Sequence, residues 1–267
     1  MSTVPKRVID RYRKEVPRLQ KVLKTASDRD LNEADTVSIV KGILSDVFGF
    51  DKYLDITSEY AIRGTYCDLA IKMDDKIQYL IEVKAVSITL KENHMRQTVN
   101  YGANHGVQWV VLTNGLIWNV YKINLEKRVE SELVFTVNFL DVNPRRKEDQ
   151  DMLFLLSKRG VAKSAREEYY TRVQSLNRFI VSSLVMSEPF ITNLRKDIRK
   201  LTNGMKVENS EIENILQNEV LKRDVTEGDE VAKARNRINK MLRKGTRKVR
   251  RRKALSPVAV SNGNGDG

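Results

Sequence analysis

Between residues 54 and 86 the apolar side chains recur at a spacing of two, whereas those on either side recur at three and four. Segments 54–62, 65–73 and 77–86 read as strands, with Met73-Asp74-Asp75-Lys76 as the turn between the last two. Ahead of them, residues 5–26 place Val8, Ile9, Tyr12, Val16, Leu19 and Leu23 at helical spacing, with Pro17 expected to bend or divide the helix. A second helix begins after Asn32, a good N-cap. Glu33 and Asp35 suit its positive start, Val37, Val40, Leu44, Val47 and Phe48 form one apolar face, and Gly49 is placed to end it. Past the strands, residues 89–104 return to a helical pattern. "VQWVVLTNGLIWNVYKI" then gives two β-rich runs around Asn114-Gly115, a strong hairpin signal, and a further strand is expected near 131–138. The order helix, three strands, helix, strands predicts an α/β domain with a mixed central sheet flanked by helices.

"DVNPRRKEDQD", with Pro144 and a charge cluster, breaks this pattern and marks the expected domain boundary. From about 148 to 245 the chain is expected to be mostly helical. Ser187 is offered as one N-cap, and Ser210 with Glu213 as a capping box. The organisation expected is therefore an N-terminal helical segment (1–30), an α/β domain (31–143), a helical region (144–230), a basic helical tail (231–253) and a Gly-, Asn- and Ser-rich disordered end (254–267).

The basic tail decides what the composition means. The formal charge is +13, yet Val231–Lys253 holds 12 Lys and Arg with no acid, leaving 36 basic against all 35 acidic residues elsewhere. A stripe of this kind attracts polyanions through phosphate neutralisation and counterion release, which points to nucleic acid. The expected phosphate contacts are Lys240, Arg243, Lys244, Arg247, Lys248, Arg250, Arg251, Arg252 and Lys253. A solvated helix that keeps the protein soluble is the plainer reading, but no interleaved acid forms i,i+4 pairs there. A hydrophobic fraction of 40% and a mean hydropathy of −0.47 are those of a soluble chain. No run approaches the ~20 apolar residues of a spanning helix. The N-terminus lacks a signal-peptide pattern and Cys67 is the only cysteine, so a reducing, cytoplasmic setting is expected and no membrane partner.

Charge inside the strands is the chemical anomaly. Glu82 and Lys84 project to one face of their strand, and a hairpin through the Asp74-Asp75 turn brings Asp68 near Glu82. Two carboxylates are hard oxygen ligands able to hold Mg²⁺, and an adjacent ammonium can orient water or offset charge on a phosphate. Gln97 and Tyr101, four residues apart on the next helix, share a face and can reach the same site if that face looks at the strand ends. Glu33 could add a third carboxylate. Three carboxylates against one lysine leave a surplus of negative charge that a divalent cation would relieve.

With these residues in view, "NEADTVSIVKGILSDVFGF", "TYCDLAIK", "IQYLIEVKA", "RQTVNYGANHG" and "VVLTNGLIWNVYKI" resemble the PD-(D/E)xK nuclease fold. The nearest likeness is to the N-terminal nuclease domain of type I restriction enzyme R subunits, over roughly residues 30–123. The resemblance implies a restriction-endonuclease-like sheet, with Asp68 and Glu82 as metal ligands and Lys84 as the catalytic lysine. It also implies Glu33 as the acid of the first core helix and Gln97 with Tyr101 as the QxxxY motif. Cys67 stands where many members have proline, a position that holds no metal. No phosphate-binding loop of the G-x-x-x-x-G-K-[ST] type occurs, so an ATP-driven motor is not expected in this chain.

Each feature has a plainer competitor. Glu-x-Lys on a strand is commonly a solvated pair, and Glu33 would be favourable through the helix dipole alone. Gln97 and Tyr101 could be an ordinary polar face, and His94 an incidental surface residue. Cys67 reads as a small core residue facing away from the site, and Trp109 and Trp118 as packing in the hairpin. The sequence therefore predicts an Mg²⁺-dependent nuclease acting on DNA, with Mn²⁺ able to substitute. The alternative is a catalytically silent nuclease-fold module that binds nucleic acid or assembles with a partner. The helical region is expected to serve homo-oligomerisation or a partner protein.

Overall fold

A computed structural model describes residues 3–62, 65–125 and 130–254, with side chains described in those ranges except at 61, 62, 65, 66 and 243–254. The chain forms two compact units, Met1–Tyr170 and Thr171–Gly267.

The first unit opens with α1 (Lys6–Asp28). The helix continues through Pro17, because the turns on both sides, with Tyr12, Val16, Leu19 and Leu23, are buried. Each such side chain contributes ~1.5–3 kcal/mol on burial, enough together to exceed the ~3 kcal/mol cost of a helix-interior proline. Next comes α2 (Glu33–Gly42), capped by the Asn32 side chain, which accepts from the Asp35 N–H. It runs on into a π-helical turn, Ile43–Val47, and Gly49 ends it at φ +79°.

Six strands follow: β1 (Ile56–Ile62), β2 (Thr65–Met73), β3 (Lys76–Val83), β4 (Trp109–Thr113), β5 (Ile117–Asn124) and β6 (Glu130–Asn138). They lie in sequence order in one sheet, antiparallel throughout except for the parallel β3–β4 pair. A parallel pair needs a crossover, and α3 (Glu92–Asn104) supplies it. β1 begins at Ile56 rather than 54, because the Asp51 carboxylate accepts the N–H groups of Tyr53 and Leu54 and holds them in a turn. The β2–β3 turn places Asp74 and Asp75 at φ +51° and +59°, the left-handed pair of a tight hairpin.

The sheet is covered on both faces. Its larger core packs Leu69, Ile71, Tyr79, Ile81, Val83, Val111, Trp118 and Val120 against α1, α2 and the helices after the sheet. A smaller cluster of Cys67, Ala70, Leu80, Val110 and Ile123 packs against Val99 of α3. Trp109 and Trp118 are both buried, as packing in the hairpin requires.

The sequence places a boundary near residue 143, but the compact unit extends to Tyr170. The reason is α4 (Lys147–Leu156) and α5 (Lys158–Ala162): Leu153, Phe154, Leu155, Leu156, Val161 and Ala165 belong to the sheet's own core. The N-terminal helical segment is likewise built into that core through Tyr12, Val16 and Leu23. α6 (Ala165–Ser175) is followed by α7 (Arg178–Val185), α8 (Glu188–Leu201), α9 (Asn209–Ile215) with a π-helical extension, and α10 (Asp229–Ala254).

Two caps differ from expectation. Ser187 occupies the N-cap of α8, but its hydroxyl donates back to the Leu184 carbonyl. The capping box of α9 is made by Glu208 and Glu211, so that helix starts two residues ahead of the Ser210–Glu213 pair. The basic segment is helical as far as Ala254, anchored by buried Val231, Ala234 and Ile238. The side chains of Arg243, Lys244, Arg247, Lys248, Arg250, Arg251, Arg252 and Lys253 lie outside the described residues, as do residues 255–267. Among the described residues no helix is long and apolar enough to cross a membrane.

Candidate functional site

On β3, Tyr79, Ile81 and Val83 enter the larger core while Leu80 enters the smaller one, so Glu82 projects toward the face covered by α3. Only 2% of Glu82 is exposed. Lys84, just past the strand, sends its Nζ back to Glu82 Oε1 at 2.7 Å, and the same Nζ lies 3.7 Å from Glu33 Oε2 at the start of α2. Asp68, on the neighbouring strand, accepts the Val83 N–H through Oδ2 at 2.7 Å. The structure thus brings Asp68, Glu82, Lys84 and Glu33 together where β3 ends. Among the described residues Glu82 Oε2 is buried and has no hydrogen-bond partner.

The electrostatics follow from burial first. Desolvation pushes the Glu82 carboxyl up to about 7; its bond to Lys84 pulls the other way, and the negative charge of Asp68 adds to the rise. Desolvation also raises Asp68, opposed by the Val83 N–H and by Lys84. Burial works against the Lys84 ammonium, but the hydrogen bond to Glu82 and the charges of Glu82, Glu33 and Asp68 outweigh it, so its pKa is raised. Glu59 adds a further negative charge near Asp68 from β1. It sits at φ +47°, where the ladder passes from Ser58–Leu69 to Tyr60–Cys67 around it. No sequence pattern marks that residue.

The segment that carries Lys84 is pinned by polar side chains that periodicity does not single out. Lys84 N–H donates to the Thr113 carbonyl. Val86 N–H donates to Thr36 Oγ1 at 3.1 Å, and Asn114 Nδ2 donates to the carbonyls of Val86 and Ile88 at 3.2 and 3.0 Å. Asn114 is legible only as a turn residue, and Thr36 only as the interior of a helix.

Gln97 and Tyr101 are on α3, and Tyr101 packs against the same small cluster as Leu80. They bond each other, Gln97 Nε2 donating to the Tyr101 hydroxyl at 2.8 Å, rather than Asp68, Glu82 or Lys84. Cys67 is fully buried in that cluster with its thiol donating to the Ile81 carbonyl, and burial pushes its pKa up to about 12, so it is an inert core residue. His94 Nδ1 accepts the N–H of Lys91, the N-cap residue of its own helix.

Among the described residues no group of three or more His, Cys, Asp and Glu side chains is gathered so as to hold a metal ion by itself. Mg²⁺ does not require one, because it commonly takes one or two carboxylates and fills its remaining positions with water and substrate phosphate oxygens. Asp68 and Glu82 fit that requirement in kind. They are hard donors on adjacent strands, and Glu82 Oε2 is a buried acceptor with no partner among the described residues.

Residues 43–135 match the family model of the type I restriction enzyme R protein N terminus. Asp68, Glu82, Lys84, Gln97 and Tyr101 fall inside the matched stretch and Glu33 outside it. That part of the chain is similar to the N-terminal domain of a type I restriction enzyme R protein. Neither the curated proteins nor the solved structures give a match to the chain.

Proposed function

We propose, from the likeness of residues 43–135 to a restriction-enzyme N terminus, that this protein is an Mg²⁺-dependent nuclease of the PD-(D/E)xK type that hydrolyses DNA phosphodiester bonds. The observation that carries the proposal is Glu82: a carboxylate sealed from solvent, with one oxygen on Lys84 and the other unpartnered, beside a second raised carboxylate. A purely structural role has no use for such a group, because a buried acceptor left unmade costs ~1–3 kcal/mol.

Asp68 and Glu82 would hold Mg²⁺, or Mn²⁺ in its place, with Glu33 as a third acid at the rim. Bound there, the cation supplies Lewis-acid polarisation of the scissile phosphate and neutralises charge that builds on it. The chain's own residues do the rest. Lys84 donates to the attacking water or to a phosphate oxygen and keeps it in line. Glu82 and Glu33 orient that ammonium. Gln97 and Tyr101 present an amide and a phenol toward the phosphate from α3. The cationic half of α10 retains DNA through phosphate contacts without reading bases.

The test is incubation of the full chain with supercoiled and single-stranded DNA in Mg²⁺, Mn²⁺ or EDTA, beside Glu82→Ala and Lys84→Ala. Cutting that needs the cation and disappears in both variants is the expected result. DNA binding without cutting by any form would transfer the reading to a silent nuclease-fold module.

A further inference from the structure

We infer that Thr36 and Asn114 are positioning residues, which fix where Lys84 leaves the sheet by holding both polar ends of a single residue, Val86. Its consequence for cleavage rests on the nuclease reading above; the geometry does not.

Val86 is 1% exposed, two residues past Lys84. Its N–H is taken by Thr36 Oγ1 and its carbonyl by Asn114 Nδ2. Neither side chain is free to turn. The Thr36 hydroxyl spends its own proton on the Asn32 carbonyl at 2.8 Å, so only a lone pair is left for Val86. Asn114 Oδ1 accepts the N–H groups of Leu116 and Ile117 at 3.1 and 2.9 Å, which sets the amide so that Nδ2 faces Val86 and Ile88. Thr36 is fully buried and Asn114 6% exposed, so releasing either would leave a buried backbone group unpaired.

The bridge joins the two elements whose side chains meet at the site. Thr36 stands three residues after Glu33 on α2, and Val86 two after Lys84. Glutamate and lysine carry long, rotamer-rich side chains, so an approach of 3.7 Å between Glu33 and Lys84 endures only if their backbones are held together. The Thr36 hydroxyl, accepting the Val86 N–H, links α2 directly to the backbone of the segment that carries Lys84. Asn114, from the β4–β5 turn, braces the same residue from the other side.

The experiment uses Thr36→Val, which keeps the shape and deletes the hydroxyl, and Thr36→Ser, which keeps the hydroxyl, both in the full chain. Acetylation of lysines by an N-hydroxysuccinimide ester, read by peptide mass spectrometry, reports Lys84 without any need for activity. We expect Lys84 to react several-fold faster in Thr36→Val and at the wild-type rate in Thr36→Ser, with exposed Lys196 equal in all three. Cleavage by Thr36→Val should fall about 10- to 100-fold in kcat, as expected for a displaced catalytic group. KM for DNA should stay unchanged, and serine should restore kcat. Equal Lys84 reactivity in all three proteins overturns the inference, as does equal acceleration by valine and serine. Acceleration by valine alone in a wild type that does not cut DNA upholds the positioning role and removes the nuclease reading. If Thr36→Val does not fold, Thr36→Ala, which leaves room for a water, takes its place under the same criteria.

Discussion

Glu82 compresses the chemistry of the site into one side chain, and its titration can be followed without substrate. Its folded-state pKa, about 7, stands above the ordinary 4.5, so the folded state holds a proton that the unfolded state has released anywhere between those values. The stability contributed by the protonated form is complete below about 4.5 and drains away as pH rises through 7. In metal-free buffer, Glu82→Gln should therefore flatten the fall in thermal midpoint between those pH values and melt higher than wild type at neutral pH. A calorimetric pH series checks this. A variant whose slope equals that of wild type would mean the carboxyl titrates normally in the folded protein.

At the scale of elements, α3 lies on the sheet with no clearance at Gly102. A Cβ there would meet the Ile123 side chain, come within 2.6 Å of Val110 Cγ1 and reach 3.0 Å from the Val107 carbonyl. Gly102→Ala should thus cost ~1–3 kcal/mol as the helix is lifted from β4 and β5, readable as a lowered denaturation midpoint. The same close approach explains what can be read in advance. Strands and helices are legible because apolar spacing is a local property, and Asp68, Glu82 and Lys84 are legible because charge interrupts that spacing. Thr36 and Asn114 are not, because their partners lie 50 and 28 residues along the chain and nothing local distinguishes a bridging hydroxyl from a helix-interior one. The unbroken α1 does not announce itself for a related reason. Pro17 has an intrinsic penalty that the sequence shows, while the burial of Tyr12 and Leu23 that offsets it exists only in the fold. The capping box of α9 escapes the sequence pattern because Glu208, with its side chain accepting as a serine would, is an uncommon N-cap.

For the whole molecule, the proposed function gives the first and second units different parts. The body of the chain is nearly neutral, and the surplus charge follows α10, whose first turns are tied down by Val231, Ala234 and Ile238. Removal of the entire basic segment would strip those anchors as well, so the informative truncation falls after Leu242. It deletes eight of the twelve Lys and Arg between 231 and 253 and keeps the anchors. Affinity should fall on every DNA sequence alike, and the slope of log K against log salt should flatten by ~0.9 for each phosphate that the shortened chain no longer neutralises. An unchanged slope in fluorescence-anisotropy titrations would take α10 out of DNA binding.

The stretch that resembles a restriction enzyme and the stretch that folds are not the same length of chain. Residues 43–135 hold the six-stranded sheet up to Phe135, yet one side of that sheet is roofed by Tyr12, Val16 and Leu23 from before it and by Leu153, Phe154 and Leu156 from after it. The matched stretch holds most of the sheet, while the core that covers it continues on both sides of that stretch. Any transplant, excision or fusion that respects only the shared pattern would carry away an uncovered wall, because the compact unit built on this sheet takes in Val4 and α1 before the matched stretch and reaches Tyr170 after it.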